Sequence, residues 1–364
     1  MRKARRAVCF LLRMGFPWVG RRNDPWACAA RRAVLRRWPV GLRPLIWGLS
    51  AVIWPVSSLW LSARAARRAR NGPRGLWLAC WQATLSRNIP PREFVLYQLH
   101  RPGALRSGWR FETETATWLG QNTNPETVRL VSDKRTFQEW LARRGVPAVL
   151  TLPHLSGADQ LVTKPRSGGR GHGMCVWIRQ DDMLWRPAAG FGGKTGEAVG
   201  EEALLAKIAE QDLLLQPFVR PDPGLGVALV ARIVTSNTDD GAALVDAVAQ
   251  VPAEGDLASH RGPFRRIRGK TGEIRGPGPG QRSRLSGGIA PRFPLEGHIL
   301  PGWEAILTHV IEAHAALPAP APLIGWDVIW GAGGPLVLEA NIGIGLTLFQ
   351  LDTLEPAGVP EIAS

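Results

Sequence analysis

Cysteine is scarce in this sequence. Cys9, Cys28, Cys80 and Cys175 are four among 364 residues, and no two form a C-x-x-C pair. That spacing excludes a disulfide framework and a paired-cysteine zinc site as organising features, and it suits a reducing, cytoplasmic setting. A secretory leader is not expected either. Met1 to Arg6 is basic and Val8 to Phe16 is apolar, but Arg13 interrupts the run and no small-x-small cleavage site follows. No internal repeat is present. No Ser/His/Asp or Cys/His set stands out, so nothing suggests a covalent protein nucleophile.

Acids are rare in the first 110 residues, whereas arginine and tryptophan are dense there. The whole chain carries a formal charge of +15 and a pI near 11.0. Such a balance favours polyanionic neighbours: nucleic acid, anionic lipid or phosphorylated substrates. At 45% hydrophobic residues the chain can build a real core. Pro44 to Ala63 is uncharged and holds Leu45, Ile46, Leu49, Val52, Ile53, Leu59 and Leu61 with Trp47, Trp54 and Trp60. Arg31, Arg32, Arg36, Arg37 and Arg43 precede it; Arg64, Arg67, Arg68 and Arg70 follow. Its length approaches the roughly 20 residues of a spanning helix, but Pro55 and several serines lower its apolarity. Three readings stand: a spanning helix, an in-plane helix on an anionic membrane surface, and a core helix beneath a basic surface. The basic helical region is expected over residues 1–110 and a separate catalytic domain over 111–355, with lobes at about 125–215 and 216–351.

From about Glu112 the pattern is α+β. Ser132 to Arg144 reads as an amphipathic helix with Ser132 as cap and Gly145 as terminator. Leu161–Lys164 and Met174–Ile178 read as strands around a glycine-rich turn. Helices are expected over Glu201–Gln211 and Trp303–Leu317, and strands over Leu213–Val219 and Val227–Thr235. A hairpin is expected over Ile324–Asn341, and a long mobile loop over Gly255–Pro294.

Two motifs carry chemistry. Thr163-Lys164-Pro165-Arg166-Ser167-Gly168-Gly169-Arg170-Gly171-His172-Gly173 can wrap phosphate oxygens with exposed amides, because its glycines tolerate positive φ. It is not a P-loop: no G-K-[ST] closes it. A plain hairpin turn with a chance lysine is the competing reading. The second motif runs from Gly325-Trp326-Asp327 through Gly331-Ala332-Gly333-Gly334 to Leu338-Glu339-Ala340-Asn341. Symmetric pairing about Gly333 sets Asp327 opposite Glu339, with Cβ atoms about 5 Å apart. Asn341 then shares their face. Two carboxylates and an amide oxygen suit Mg²⁺, which takes few carboxylates and completes its shell with nucleotide phosphates.

A lysine and glycine-rich loop, then a strand-borne carboxylate, then Glu-x-Asn on the return strand resembles the ATP-grasp superfamily. The likeness covers about residues 125–351. Gly297-His298-Ile299-Leu300-Pro301-Gly302-Trp303, Ile324-Gly325-Trp326-Asp327 and Leu338-Glu339-Ala340-Asn341 look closest to the sugar-transfer-associated group related to α-L-glutamate ligases. The resemblance implies a two-lobed fold and an ATP- and Mg²⁺-dependent ligase (Mn²⁺ being the alternative ion) that joins a carboxylate to an amine, such as an amino acid or amino sugar. It implies phosphate contacts from Lys134, Lys164, Ser167, Gly168, Gly169, Gly171, His172 and Gly173. It implies adenine contacts from Gln216, Phe218 and Val219, a ribose contact from Asp222, and a phosphate- or substrate-facing Arg232. Asp327, Glu339 and Asn341 are the implied metal ligands, and surface-polysaccharide chemistry the implied context. The departures are Gln216, where many relatives have an acid, Gly325, where some ligases have an arginine, and the absence of a recognisable parallel-stranded domain upstream. The rivals are a small-molecule kinase on the same scaffold, a non-catalytic membrane adaptor, and a nucleic-acid binder, the last without any recognised module.

Overall fold

The computed structural model describes residues 24, 26–28, 33, 36, 39–69, 73–105, 108–155, 157–168, 173–180, 184–190, 197–252, 262–281 and 292–357. The leader-like segment Met1–Phe16 lies outside them. The helices are α1 (Arg43–Arg68), α2 (Leu76–Arg87), α3 (Pro91–Leu96), α4 (Glu112–Asn122), α5 (Pro125–Ser132), α6 (Lys134–Ala142), α7 (Glu201–Glu210), α8 (Trp303–Ala315) and α9 (Thr347–Thr353). The strands are β1 (Gln160–Pro165), β2 (Cys175–Arg179), β3 (Trp185–Gly190), β4 (Leu213–Pro217), β5 (Val230–Thr238), β6 (Gly241–Gln250), β7 (Phe264–Arg266), β8 (Leu323–Gly331) and β9 (Gly334–Asn341). The fold is α+β, and both sheets are antiparallel.

The chain divides into two compact units. One comprises Met1–Asn122, Pro277–Pro291 and Gly343–Ser364; the other comprises Thr123–Gly276 and Arg292–Ile342. The division falls at Asn122 rather than near residue 110. The C-terminal segment joins the helical unit because α9 bonds into it. Tyr97 Oη meets Thr347 Oγ1 at 3.2 Å, and the Gln350 amide both accepts from the Arg110 N–H (2.8 Å) and donates to its C=O (2.6 Å). The core of this unit is built from Leu76, Cys80, Phe94, Tyr97, Leu99, Trp109 and Phe111. Tyr97 and Trp109 stack at 5.0 Å.

The second unit holds a four-stranded sheet, β3-β2-β1-β4, and a five-stranded sheet, β7-β6-β5-β8-β9. Alternation explains the larger core. Ala231 and Ile233, Ala247 and Ala249, and Trp326, Val328 and Trp330 point to one face and pack with Phe137, Trp140 and Leu141 of α6 and Ile306 and Val310 of α8. A smaller core joins Leu161, Trp177, Trp185, Leu204 and Leu215.

Three expectations need correction. The cap of α6 is Asp133, whose carboxylate accepts from the N–H groups of Arg135 and Thr136; Ser132 instead ends α5. Gly145 does stop the helix, in the left-handed region at φ 69°. The segment read as a loop from Gly255 to Pro294 contains the edge strand β7 and the buried Ile267 and Ile274, which bridge one another. Finally, β3 and β6 lie where no strand was expected.

Candidate active site

A buried relay sets the orientation of β8. The His314 Nε2–H donates to the Ala321 carbonyl at 2.9 Å, because a carbonyl can only accept. His314 Nδ1 is then left to accept from Thr235 Oγ1 at 2.7 Å, and the Trp326 indole N–H donates to the same hydroxyl oxygen at 2.8 Å. Burial lowers the His314 pKa, which favours this neutral ring. With Trp326 locked into the core, period-2 alternation turns Asp327 to the opposite face.

There Asp327 pairs with Glu339, and Gly325 with Asn341, as the spacing predicts. The pairing is not symmetric throughout. The tight turn is Ala332-Gly333, Gly331 pairs with Gly334, and Val328 pairs with Val337. Leu338 is the extra residue of a bulge. Its carbonyl faces Lys164 Nζ at 3.5 Å. On the other side of β8, Arg232 of β5 lies directly opposite Asp327. Its guanidinium grips both carboxylate oxygens, with Nη2 to Oδ2 at 2.9 Å and a second, shorter contact from Nε to Oδ1. Burial alone would lower the Arg232 pKa, but the charge of Asp327 and then of Glu339 outweighs it and leaves it raised.

Two lysines complete the cluster. Lys164, at the end of β1, is 9% exposed. Burial pushes its pKa down to about 8, Glu339 and Asp327 pull it up, and Lys134 opposes them. Lys134, the first residue of α6, reaches Glu339 Oε2 at 3.4 Å and donates to the Gly168 carbonyl at 2.7 Å. Its backbone N–H donates to the Arg166 carbonyl at 3.2 Å, which ties the helix start to the residue just after β1. Three cations therefore surround two carboxylates, leaving a positive balance suited to an anionic ligand.

The donor chemistry fits a hard cation. Asn341 Nδ2 lies 3.1 Å from Asp327 Oδ2 and 3.4 Å from Glu339 Oε1. The two ends of an amide nearly superimpose, so a half-turn of the side chain aims its oxygen at the same place. Glu339 is the less committed carboxylate, its two neighbours both at 3.4 Å. Among the described residues there is no cluster of three or more His, Cys, Asp or Glu side chains able to hold a metal. The set considered has two carboxylates and an amide.

The remaining expected residues fall as follows. Ser167 and Gly168 leave β1, with Gly168 at φ 105°. Gly173 has φ 79°, and a Cβ there would come within 2.8 Å of Pro165 Cγ. Gly169, Gly171 and His172 lie outside the described residues. Gln216 is buried on β4 and donates to the Val149 carbonyl at 2.8 Å. Phe218 and Val219 follow the strand's end at Pro217. The Asp222 carboxylate accepts from Gly224 N–H (2.7 Å) and Leu225 N–H (3.2 Å), so a ribose contact would compete with that turn.

The sequence reading missed Arg266 and Asp246. Val248 pairs with Arg232 on one side and Arg266 on the other, so both arginines share the site face, two strand spacings or about 10 Å apart. Arg266 Nε lies 3.2 Å from Asp246 Oδ1. The arginine pair Phe264-Arg265-Arg266 was the available signal.

No known protein family matches the sequence, and no curated protein sequence does. The solved structures it resembles include D-alanyl-alanine synthetase A from Vibrio cholerae, at 16% identity and TM-score 0.38, with 65% of this chain and 63% of that one covered. A protein from Archaeoglobus fulgidus described as an ATP-grasp superfamily member follows at 11% and 0.33, covering 62% and 50%. The biotin carboxylase domain of the Hydrogenobacter thermophilus 2-oxoglutarate carboxylase, a complex with MgADP, ADP and bicarbonate, gives 12% and 0.35, covering 63% and 46%. The matched part of the chain thus spans about half to under two thirds of those structures. The functional argument rests on the side chains.

Proposed function

We propose that this protein is an ATP- and Mg²⁺-dependent carboxylate–amine ligase with an ATP-grasp active site. One observation carries the reading: Lys134, Lys164 and Arg232 converge on Asp327, Glu339 and Asn341 beside the glycine-rich turn. Lys134, Lys164 and the amides of the Ser167–Gly173 turn hold the nucleotide phosphates; Gln216, Phe218 and Val219 border the adenine. Asp327, Glu339 and Asn341 would hold Mg²⁺, which when bound neutralises phosphate oxygens. Arg232, with Arg266 on the same face, binds and orients the substrate carboxylate.

A carboxylate oxygen attacks the γ-phosphorus, the bond to the β-phosphate oxygen breaks, and ADP leaves. The amine nitrogen then attacks the acyl carbon of the resulting acyl phosphate. Inorganic phosphate departs and the amine's proton passes to solvent. Fixed positive charge and positioning supply most of the rate. From the motif resemblance we infer an acid and an amine of surface-polysaccharide chemistry.

The test is a phosphate-release screen of amino acids and amino sugars with the purified protein. Glu339→Gln should reduce ADP release at least about 100-fold with unchanged thermal unfolding. Turnover at the wild-type rate in that variant would remove the metal assignment. ADP release that needs no amine and yields a stable phosphorylated product would make the enzyme a kinase.

A further inference from the structure

Helix α1 carries its hydrophobic stripe on the wrong side for a core helix. Leu45, Leu49, Val52, Ile53, Val56 and Trp60 recur at i, i+4, i+7, i+8, i+11 and i+15, within an arc of ~100°. All six are exposed, Val52 by 73% and Val56 by 71%. The opposite side is the one that packs. Trp54, Ser58 and Ser62 are buried, and the Trp81 indole N–H of α2 donates to the Pro55 carbonyl at 3.1 Å. The helix is thus fixed to its unit by its back and presents a continuous apolar front.

Charge identifies what covers that front. Residues 1–92 contain nineteen Arg and Lys and one acid, Asp24. Asp24 is already engaged by Arg110 at 3.1 Å. Arg67 prolongs the stripe at its C-terminal end, and the exposed Arg64 lies over the Trp60 ring at 5.2 Å. Beside them a groove of about 500 Å³ is lined by Leu59, Ala63, Leu76 and Trp77 together with Arg67. Apolar side chains flanked by tryptophan and arginine match the boundary between acyl chains and anionic headgroups. A second copy of this chain would set two basic rims against each other. A nucleic acid would leave the apolar stripe uncovered. Among the described residues no helix is long and apolar enough to cross a membrane.

We propose that α1 lies in the plane of an anionic bilayer surface and docks the protein there, independently of the reaction catalysed. The probe is a vesicle flotation assay with the full chain, using phosphatidylcholine vesicles and vesicles that also contain phosphatidylglycerol. Partition onto the anionic vesicles should exceed that onto neutral ones by at least about tenfold and shrink with added salt. The double variant V52D/V56D, whose side chains face solvent, should lose that partition while keeping the wild-type circular dichroism. R64E/R67E should lose the preference for anionic vesicles. Absence of flotation with both vesicle types overturns the proposal. So does full retention by V52D/V56D, or a protein dimer that this double variant dissolves while no vesicle is bound.

Discussion

Asp327 in the sheet unit and Glu93 in the helical unit are both carboxylates taken largely out of water, and they are handled in opposite ways. Asp327 faces a guanidinium across a strand pair, with two lysines in the same cluster. Glu93 accepts a backbone N–H from Glu112 at 2.7 Å, with the like charges of Glu112 and Glu114 nearby and only a weaker opposing pull from the charge of Arg92. Burial therefore dominates at Glu93 and pushes its pKa up to about 7. The contrast shows what a buried acid needs to stay an anion. A neutral donor satisfies its hydrogen bonding, whereas only fixed positive charge offsets lost hydration. A site that must present carboxylates to a cation needs the first arrangement, and a packing position tolerates the second.

The largest effect expected within this comparison comes from removing the guanidinium. Arg232→Met leaves the largely buried Asp327 carboxylate without its main partner and should cost about 3–5 kcal/mol in urea unfolding. Asp327→Asn added to that variant should restore at least half of the loss, since the uncompensated charge is then gone. A cost below about 1 kcal/mol for Arg232→Met would mean the pair is solvated enough to be indifferent, and would remove the sheet unit's side of the contrast.

How much of this could be read from the sequence differs residue by residue. Asp327, Glu339 and Asn341 were legible because hairpin geometry is local: a glycine turn at the midpoint and period-2 alternation fix which side chains meet. Even so, the register holds only because the Leu338 bulge restores it, and no sequence pattern marks that bulge. Lys164 was legible as the lysine leading into a glycine run, and Lys134 only through the family resemblance. Arg266 and Asp246 were not. Phe264–Arg266 has three residues, too few to show alternation, and Asp246 sits in an alanine-rich strand whose position is set by its neighbours across the sheet. The same limit applies to α1. Its apolar periodicity is plain, but whether a stripe faces inward or outward depends on the packing of its other side, which only the fold supplies.

Glu93 gives the second test, through pH. Its folded pKa is raised to about 7 from an ordinary 4.5. Below 4.5 both folded and unfolded states hold the proton, and the group contributes fully. As pH climbs from 4.5 to 7 the unfolded chain releases its proton while the native state keeps it, so stability falls; above 7 the loss levels off. The total is at most on the order of 3 kcal/mol. Glu93→Gln keeps an acceptor for the Glu112 N–H and should flatten that descent. Equal pH slopes for the two proteins between 4.5 and 7 would show that Glu93 titrates normally and that the helical unit does not hold a neutral acid.

Asp133 is the intermediate case, a carboxylate with a guanidinium partner and access to water, and it predicts the smallest effect. It caps α6 through Arg135 and Thr136 N–H and pairs with Arg166, Nε to Oδ1 at 2.9 Å. The Arg166 hydrogen bond, opposed in part by burial, holds its pKa down to about 2. A depressed acid pKa adds stability above the ordinary value near 3.8, and that stability is lost as pH falls from there to about 2. Solvent screening discounts the ion pair, since both side chains are about a third exposed. The cap is the firmer contribution, worth ~1 kcal/mol. Asp133→Ala should lose about that much at neutral pH, and Asp133→Asn, which still caps, much less. Both should flatten the acid limb of the unfolding curve between pH 3.8 and 2. If Asp133→Asn costs as much as Asp133→Ala, charge rather than capping holds the start of α6, and Asp133 belongs with Asp327 as an acid whose worth is set by its guanidinium.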